Sequence, residues 1–151
     1  MSATGHVLTA LKELHHVLRP GGRASILDTD WDTLVWNTTD RARMSRVLAA
    51  FTEHCAHPHL ARTLAPELRQ AGFLITHQSV FPLFNPRYHA DTYSYGVIDF
   101  IASFVPGRQG VTEEEAKAWA EELHSLGKEE GYFFSLNRYL FLVVKPEAHT
   151  T

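Results

Sequence analysis

The sequence predicts an α/β fold in which about three strands are flanked by helices. Apolar residues recur every three or four positions in several segments, a spacing that lines one face of a helix. Shorter segments rich in β-branched, leucine and aromatic residues come between them, bounded by glycine or proline. The chain has 151 residues, of which 44% are hydrophobic, enough for one core. A single domain over residues 1–151 is therefore expected.

The first helix and strand are separated by a proline and glycine turn. Apolar residues at spacings of four, three and four predict a helix from about Thr4 to Arg19, with Val7, Leu11, Leu14 and Leu18 on one face. Pro20-Gly21-Gly22 ends it. Arg23 to Trp31 is short and apolar on both faces, which predicts a buried strand of the parallel type.

Two further helices precede the second strand. Asn37 to Asp40 is rich in turn residues, and Thr39 or Asp40 is a suitable N-cap for a helix that ends near Pro58. The next helix runs from Leu60 to Ala71, where Pro66 is acceptable only within a turn of the helix start and Gly72 ends the helix. Phe73 to Phe81 then predicts a strand.

The region 82–131 predicts an inserted helical segment that forms a lid or pocket wall. It begins with an irregular aromatic stretch, followed by a short helix near Val97 to Phe104. Thr112 and Glu115 form a capping box for a further helix, which Gly127 closes. Tyr132 to Lys145 is dense in aromatic and β-branched residues, so we expect one long strand or two strands broken near Asn137.

Composition excludes several functional classes. The net charge of -3 without a basic run argues against nucleic acid as the partner. Cys55 is the single cysteine, so an internal disulfide is excluded, and the N-terminus has no signal-peptide pattern. No apolar stretch approaches the roughly 20 residues of a membrane span. These features predict a cytoplasmic protein that does not cross a membrane.

Three ordered stretches resemble the C-terminal half of class I S-adenosylmethionine-dependent methyltransferases. They are Ala10 to Asp30, Leu64 to Phe73, and Gly131 to Ser135 together with Tyr139 to Pro146. The resemblance implies a partial Rossmann-like sheet equivalent to strands five to seven, with the last strand antiparallel. It also implies methyl transfer from S-adenosylmethionine to a small molecule when the domain is complete.

The donor-binding half of that family has no counterpart in the sequence. The family holds its donor with a glycine-rich loop after the first strand and an acidic residue after the second. Here Gly21-Gly22 follows a helix, and the glutamates Glu113 to Glu115 would repel a phosphate near Gly107 to Gly110. S-adenosylmethionine is thus the cofactor that the resemblance implies, but we expect no cofactor-binding residues and no activity from the chain alone.

Two groups of residues are candidates for binding the methyl acceptor. Asp28, Asp30 and Trp31 lie at the C-terminal end of the first predicted strand, which is taken as the central one, where open α/β sheets place ligands. The alternative is that these residues only end a strand and begin a turn. The insertion supplies the second group, Tyr88, His89, Tyr93 and Tyr95, as an aromatic wall; the alternative is that they belong to the core. Methyl transfer needs no obligatory nucleophile, and no catalytic residue is assigned.

Other reactive residues favour structural roles. His54, Cys55, His57 and His59 resemble zinc ligands in type, but their spacing around Pro58 is more typical of a helix end, so no metal site is expected. Arg62 is interpreted as pairing with Glu67 at the surface, with an anionic substrate as the alternative.

The predicted first strand has an open edge, which predicts a partner. A strand apolar on both faces ordinarily has neighbours on each side. We therefore expect a homodimer or a partner that carries the missing strands. The alternative function is a non-catalytic regulatory or split-enzyme interaction module. Two further alternatives are that the protein continues upstream of Met1 and that it is a small metalloprotein.

Overall fold

A computed structural model describes residues 3–148 and, in that range, five α-helices, one 3-10 helix and three strands. Their order is α1 (Ala3–Val17), β1 (Arg23–Trp36), α2 (Arg41–Phe51), the 3-10 helix (Thr52–His54), α3 (Leu60–Gln70), β2 (Leu74–Asn85), α4 (Tyr93–Phe104), α5 (Glu113–Lys128) and β3 (Phe134–Val144). The residues outside this range are 1, 2 and 149–151. No helix in the described range is long and apolar enough to cross a membrane.

The three strands form one sheet in the order β1-β3-β2. Gly21 and Gly22, at the start of β1, exchange backbone hydrogen bonds of 2.8 Å with Lys145, at the end of β3. Asn37, after the end of β1, donates to the carbonyl of Phe133, before the start of β3. Start therefore pairs with end, and β3 is antiparallel to β1. The expected α/β class and the antiparallel last strand are confirmed.

The chain divides into two compact units. Unit 1 contains the described residues of 1–32, 56–81 and 137–151, and unit 2 contains 33–55 and 82–136. Unit 1 has a core in which α1 and α3 contribute the apolar faces that their periodicity predicted. Its buried members are Leu11, Leu64, Leu68, Ala71, Phe73, Phe141 and Val143.

Unit 2 has a core of aromatic and aliphatic side chains from α2, α4 and α5. Trp119 on α5 is fully buried and meets the Trp36 ring edge-on at a centroid distance of 5.5 Å. Its indole nitrogen also donates to the sulfur of Met44 on α2, at 3.2 Å. These contacts fix α5 against α2, which Glu122 reinforces by accepting hydrogen bonds from Thr38 and Thr39.

The helix N-caps agree with the sequence predictions. Asp40 accepts a hydrogen bond from the backbone nitrogen of Arg43 and caps α2. Thr112 accepts one from the backbone nitrogen of Glu115 and caps α5. Both contacts join residues three apart, so local sequence was sufficient to predict them.

The description of β1 needs two corrections. The strand continues to Trp36 instead of ending near Trp31, because Leu34 and Trp36 alternate into the core of unit 2. It is also not buried: Leu27 is 52% exposed. An apolar composition on both faces did not mean burial on both, because β1 lies at the edge of the sheet with β3 as its one neighbour.

Other details of the elements also differ from expectation: β2 continues to Asn85 instead of ending at Phe81, and α4 begins at Tyr93 instead of near Val97. α2 ends at Phe51, and a 3-10 turn replaces its predicted last turn. Pro66 is the seventh residue of α3, farther from the helix start than predicted. α5 continues through Gly127 to Lys128, so Gly127 does not end the helix. β3 is one continuous strand, as one of the two expected alternatives stated.

Candidate functional site

Asp28 lies in the middle of β1 and reaches the N-terminus of α3. Its carboxylate accepts hydrogen bonds from the backbone at Thr29 and at Ala61, in the first turn of α3. Burial raises the pKa of Asp28, more than these hydrogen bonds and the nearby His57 lower it. The Oδ2 atom of Asp28 is buried without a hydrogen-bond partner among the described residues. The carboxylate helps to hold α3, a structural contact that a free helix terminus requires.

Asp30 is 3% exposed and forms the principal ion pair of unit 1. Arg62 on α3 donates to both carboxylate oxygens, from Nε to Oδ2 at 2.6 Å and from Nη2 to Oδ1 at 3.0 Å. Burial raises the pKa of Asp30. The hydrogen bonds from Arg62 and from the Asp32 backbone, together with the charge of Arg62, have a larger opposite effect, so the pKa of Asp30 lies below its usual value. Arg62 therefore pairs with Asp30, and its expected pairing with Glu67 is wrong.

His59 and Asp32 complete a cluster around this ion pair. His59 Nδ1 lies 3.5 Å from Asp30 Oδ1, and its Nε2 lies 3.4 Å from Asp32 Oδ2. Among the described residues, Asp30, Asp32 and His59 are the side chains close enough to share one metal ion. Arg62 Nη2, however, lies 3.0 Å from Asp30 Oδ1 and 3.3 Å from Asp32 Oδ2. The guanidinium thus takes the position between the two carboxylates that a cation would need.

Trp31, next to Asp30 on β1, contacts the segment before α3 through its backbone. Its backbone nitrogen donates to the carbonyl of Pro58 at 3.1 Å, which ties β1 to the segment before α3. His57 and His59 line a small cleft of about 250 Å³ beside that segment, together with Val7, Ala56, Pro58, Leu60, Thr63 and Glu67. Asp28 and Asp30 are therefore close together and buried in contacts with α3, in the middle of an edge strand instead of at the end of a central one.

The second predicted group lies in unit 2, where Tyr88 is the centre of an aromatic cluster. Its ring stacks on Tyr95 at 4.7 Å between centroids. It lies 5.2 Å from the ring of His124 and 5.6 Å from that of Tyr132. Burial, with smaller contributions from Tyr95, raises the pKa of Tyr88 to about 12. The Tyr88 hydroxyl therefore stays protonated at neutral pH.

Gly127 is the residue that lets Tyr88 approach α5. A Cβ at Gly127 would lie 2.4 Å from the Cβ of Tyr88, far inside normal contact. The glycine is therefore explained by packing and not by a helix end. A pocket of about 560 Å³ opens at this contact, lined by Pro86, Arg87, Tyr88, His89, Gly127, Lys128, Glu130 and Tyr132.

Behind the pocket, Tyr132 belongs to a buried hydrogen-bond chain. The indole nitrogen of Trp36 donates to the Tyr132 hydroxyl at 2.9 Å, and that hydroxyl donates to Ser94 Oγ at 2.6 Å. Tyr132 is 5% exposed and Ser94 is fully buried. Burial raises the pKa of Tyr132, although both hydrogen bonds lower it. The chain fixes the orientation of the phenol ring that forms the pocket wall.

The four insertion residues have three different roles. Tyr88 and His89 line the pocket, and Tyr95 stacks on the Tyr88 ring. The ring of Tyr93 packs on that of the buried Phe134, at 5.9 Å between centroids, so Tyr93 belongs to the core, as the alternative interpretation stated. Sequence reasoning missed Arg87, Lys128 and Tyr132. The one available signal was Gly127, a glycine whose neighbours continue a helical pattern.

The described residues do not fit the methyl-donor site of the methyltransferases that the sequence resembles. All nine glycines lie in the described range. Gly5, Gly96 and Gly127 are inside helices, and the other six lie in turns that follow a helix. None follows a strand and begins a helix, the position that a phosphate- or nucleoside-binding glycine loop requires.

Comparisons with known proteins leave the chain without an assigned family. No family model matches it, and no curated protein matches it either.

Proposed function

We propose that this chain is the substrate-side part of a class I S-adenosylmethionine-dependent methyltransferase, which methylates a small molecule in the cytoplasm when the domain is complete. The observation that carries the proposal is the strand order β1-β3-β2 with β3 antiparallel. In that family the seventh strand inserts antiparallel between the fifth and the sixth. The three resembling sequence stretches occur in the same order along the chain.

The pocket of unit 2 is the proposed acceptor site. Methyl transfer depends mainly on holding the acceptor in line with the donor and on excluding water. The pocket offers an aromatic surface at Tyr88, whose ring stacks on Tyr95, and the buried Tyr132 lies behind it with its hydroxyl held by Trp36 and Ser94. Asp28 and Asp30 are assigned to positioning α3, since Asp28 accepts a hydrogen bond from the backbone at Ala61 and Asp30 pairs with Arg62, both in that helix.

Methyl transfer by the assembly that contains the full chain tests the proposal. The tagged chain is isolated from its native cells with its partners and incubated with labelled S-adenosylmethionine and a small-molecule extract. We expect a labelled small-molecule product, and we expect Tyr88→Ala to reduce its formation by about tenfold or more, since a misplaced acceptor loses this much. Tyr139→Ala, in the other unit, is the matched control for loss of an aromatic ring.

Two outcomes would contradict the proposal. One is the absence of labelled product from an assembly that contains S-adenosylmethionine-binding activity. The other is micromolar binding of S-adenosylmethionine to the purified chain by calorimetry, which would place a donor site among residues that do not fit one.

A non-catalytic interaction module is the second candidate function. It is favoured by apolar side chains on the strands of unit 1, where Leu27 is 52% and Leu74 57% exposed. The partner in this case is a second copy or a chain that supplies further strands. A copurifying methyltransferase whose activity is unchanged by Tyr88→Ala would support this function over the first.

A further inference from the structure

The pocket beside Gly127 carries more positive than negative charge. Arg87 and Lys128 line it, and neither forms an ion pair with a carboxylate among the described residues. Glu130 is the single carboxylate of the lining, and His89 faces Asp91 at 3.7 Å. Two arginine or lysine charges are thus available to a ligand, against one negative charge.

Lys128 and Arg87, the two lining cations, differ in their local surroundings, and both are exposed. Lys128 lies in the last turn of α5, where the helix dipole favours a cation. Arg87 lies in the segment after β2, outside any helix. Among residues 3–148 no carboxylate pairs with Arg87 and no aromatic ring lies under its guanidinium, so this cation is available for binding.

The aromatic part of the lining selects ligand shape. Tyr88 presents its ring to the pocket, whereas Tyr132, which is 5% exposed, contributes little accessible ring surface. The Tyr88 ring stacks on Tyr95 at 4.7 Å between centroids, and an aromatic ring at a pocket wall favours a flat ligand. The volume of about 560 Å³ is within the range of small-molecule sites.

We propose that this pocket binds a small aromatic anion, with the ring against Tyr88 and the acidic group between Arg87 and Lys128. The identification of that ligand as the methyl acceptor rests on the proposed function, whereas its binding does not. The charge and the flat shape together define the class: an aromatic carboxylate.

A titration with two matched probes tests the inference. The full chain is titrated with 4-hydroxybenzoate and with the neutral 4-hydroxybenzyl alcohol, and binding is followed by nuclear magnetic resonance. At low salt we expect the anion to bind about tenfold more tightly. Raising the salt to about 0.3 M should reduce this preference, because the charges are close to solvent.

Variants then locate the binding. The double substitution Arg87→Gln and Lys128→Gln should remove the preference for the anion, whereas Lys117→Gln, on the exposed side of α5, should keep it. All three side chains are exposed, so the fold is expected to be retained, and a thermal unfolding curve checks this.

Equal affinity for the two probes, a preference that persists in the double variant, or no binding of the anion up to millimolar concentration would overturn the inference. No methyl donor is present in this experiment. Anion binding without methyl transfer by the native assembly would therefore overturn only the proposed function, and methyl transfer without anion binding would overturn only this inference.

Discussion

At the scale of single residues, Asp28 and Asp30 show how position decides the behaviour of a carboxylate. They are two residues apart on β1, and both side chains reach α3. Burial dominates at Asp28 and raises its pKa, whereas Arg62 outweighs burial at Asp30 and lowers its pKa. Two aspartates on one strand therefore have pKa values shifted in opposite directions.

The pH dependence of stability distinguishes the two carboxylates. Because the pKa of Asp30 is lowered in the folded state, its stabilising effect is present above the usual value of 3.8 and is lost as pH falls through the folded pKa. Asp30→Asn should therefore destabilise the protein at pH 7, and the difference should shrink at about pH 3. Because the pKa of Asp28 is raised in the folded state, ionisation of Asp28 destabilises the fold. Asp28→Asn should therefore gain stability relative to the natural protein as pH rises from about 3 to 7.

Urea unfolding at about pH 3, 5 and 7 measures both effects. Asp91→Asn is the control, because the Asp91 side chain is 91% exposed. Parallel pH trends for Asp28→Asn and Asp30→Asn would contradict the assignment.

At the scale of the helices, the glycines inside α4 and α5 differ in the space around them. Gly96 on α4 has no atom within 4 Å of the position of an added Cβ. Gly127 on α5 is in direct contact with Tyr88. Helix propensity alone treats the two positions alike, since alanine is preferred to glycine by about 1 kcal/mol in either helix.

Replacing each glycine by alanine should therefore change stability in opposite directions. We expect Gly96→Ala to raise the free energy of unfolding by about 0.5–1 kcal/mol. Gly127→Ala should lower it by about 1–3 kcal/mol, because Tyr88 must move out of its contact with α5. Thermal or urea unfolding of the two variants gives the comparison, and a stabilised Gly127→Ala variant would mean that Tyr88 is free to move.

At the scale of the whole molecule, unit 1 has an edge strand and an exposed apolar sheet face. Ile26 and Ile75 pack against the core with α1 and α3. Their sequence neighbours Leu27 and Leu74 point to the opposite face, because side chains alternate along a strand, and both are more than half exposed. Exposed apolar side chains on one face of a sheet are typical of an interaction surface.

We expect the purified chain to associate in a concentration-dependent manner, as a homodimer or a larger species. Leu27→Lys should weaken this association by about tenfold, since the apolar area of a leucine is no longer buried and a charge is introduced. Val17→Lys is the matched control, because Val17 is 72% exposed on α1 instead of on a strand. Light scattering at several concentrations measures the effect, and a monomer at all concentrations would contradict it.

The sequence by itself determined the type of nearly every element and the caps at Asp40 and Thr112. These features depend on residues within one or two turns of each other, so periodicity and residue type report them directly. It also identified Tyr88 and His89 as candidate pocket residues and predicted the antiparallel last strand through the family resemblance.

Only the tertiary structure decided which side chains meet. Arg62 pairs with Asp30 across 32 positions, and Tyr132 donates to Ser94 across 38. Such contacts have no local pattern, because they depend on how elements distant in the chain pack. The same holds for Gly127, whose role depends on Tyr88, and for β1, whose burial depends on its place at the edge of the sheet. Local sequence fixes the elements because their energetics are local, whereas the pocket and its charges are products of packing.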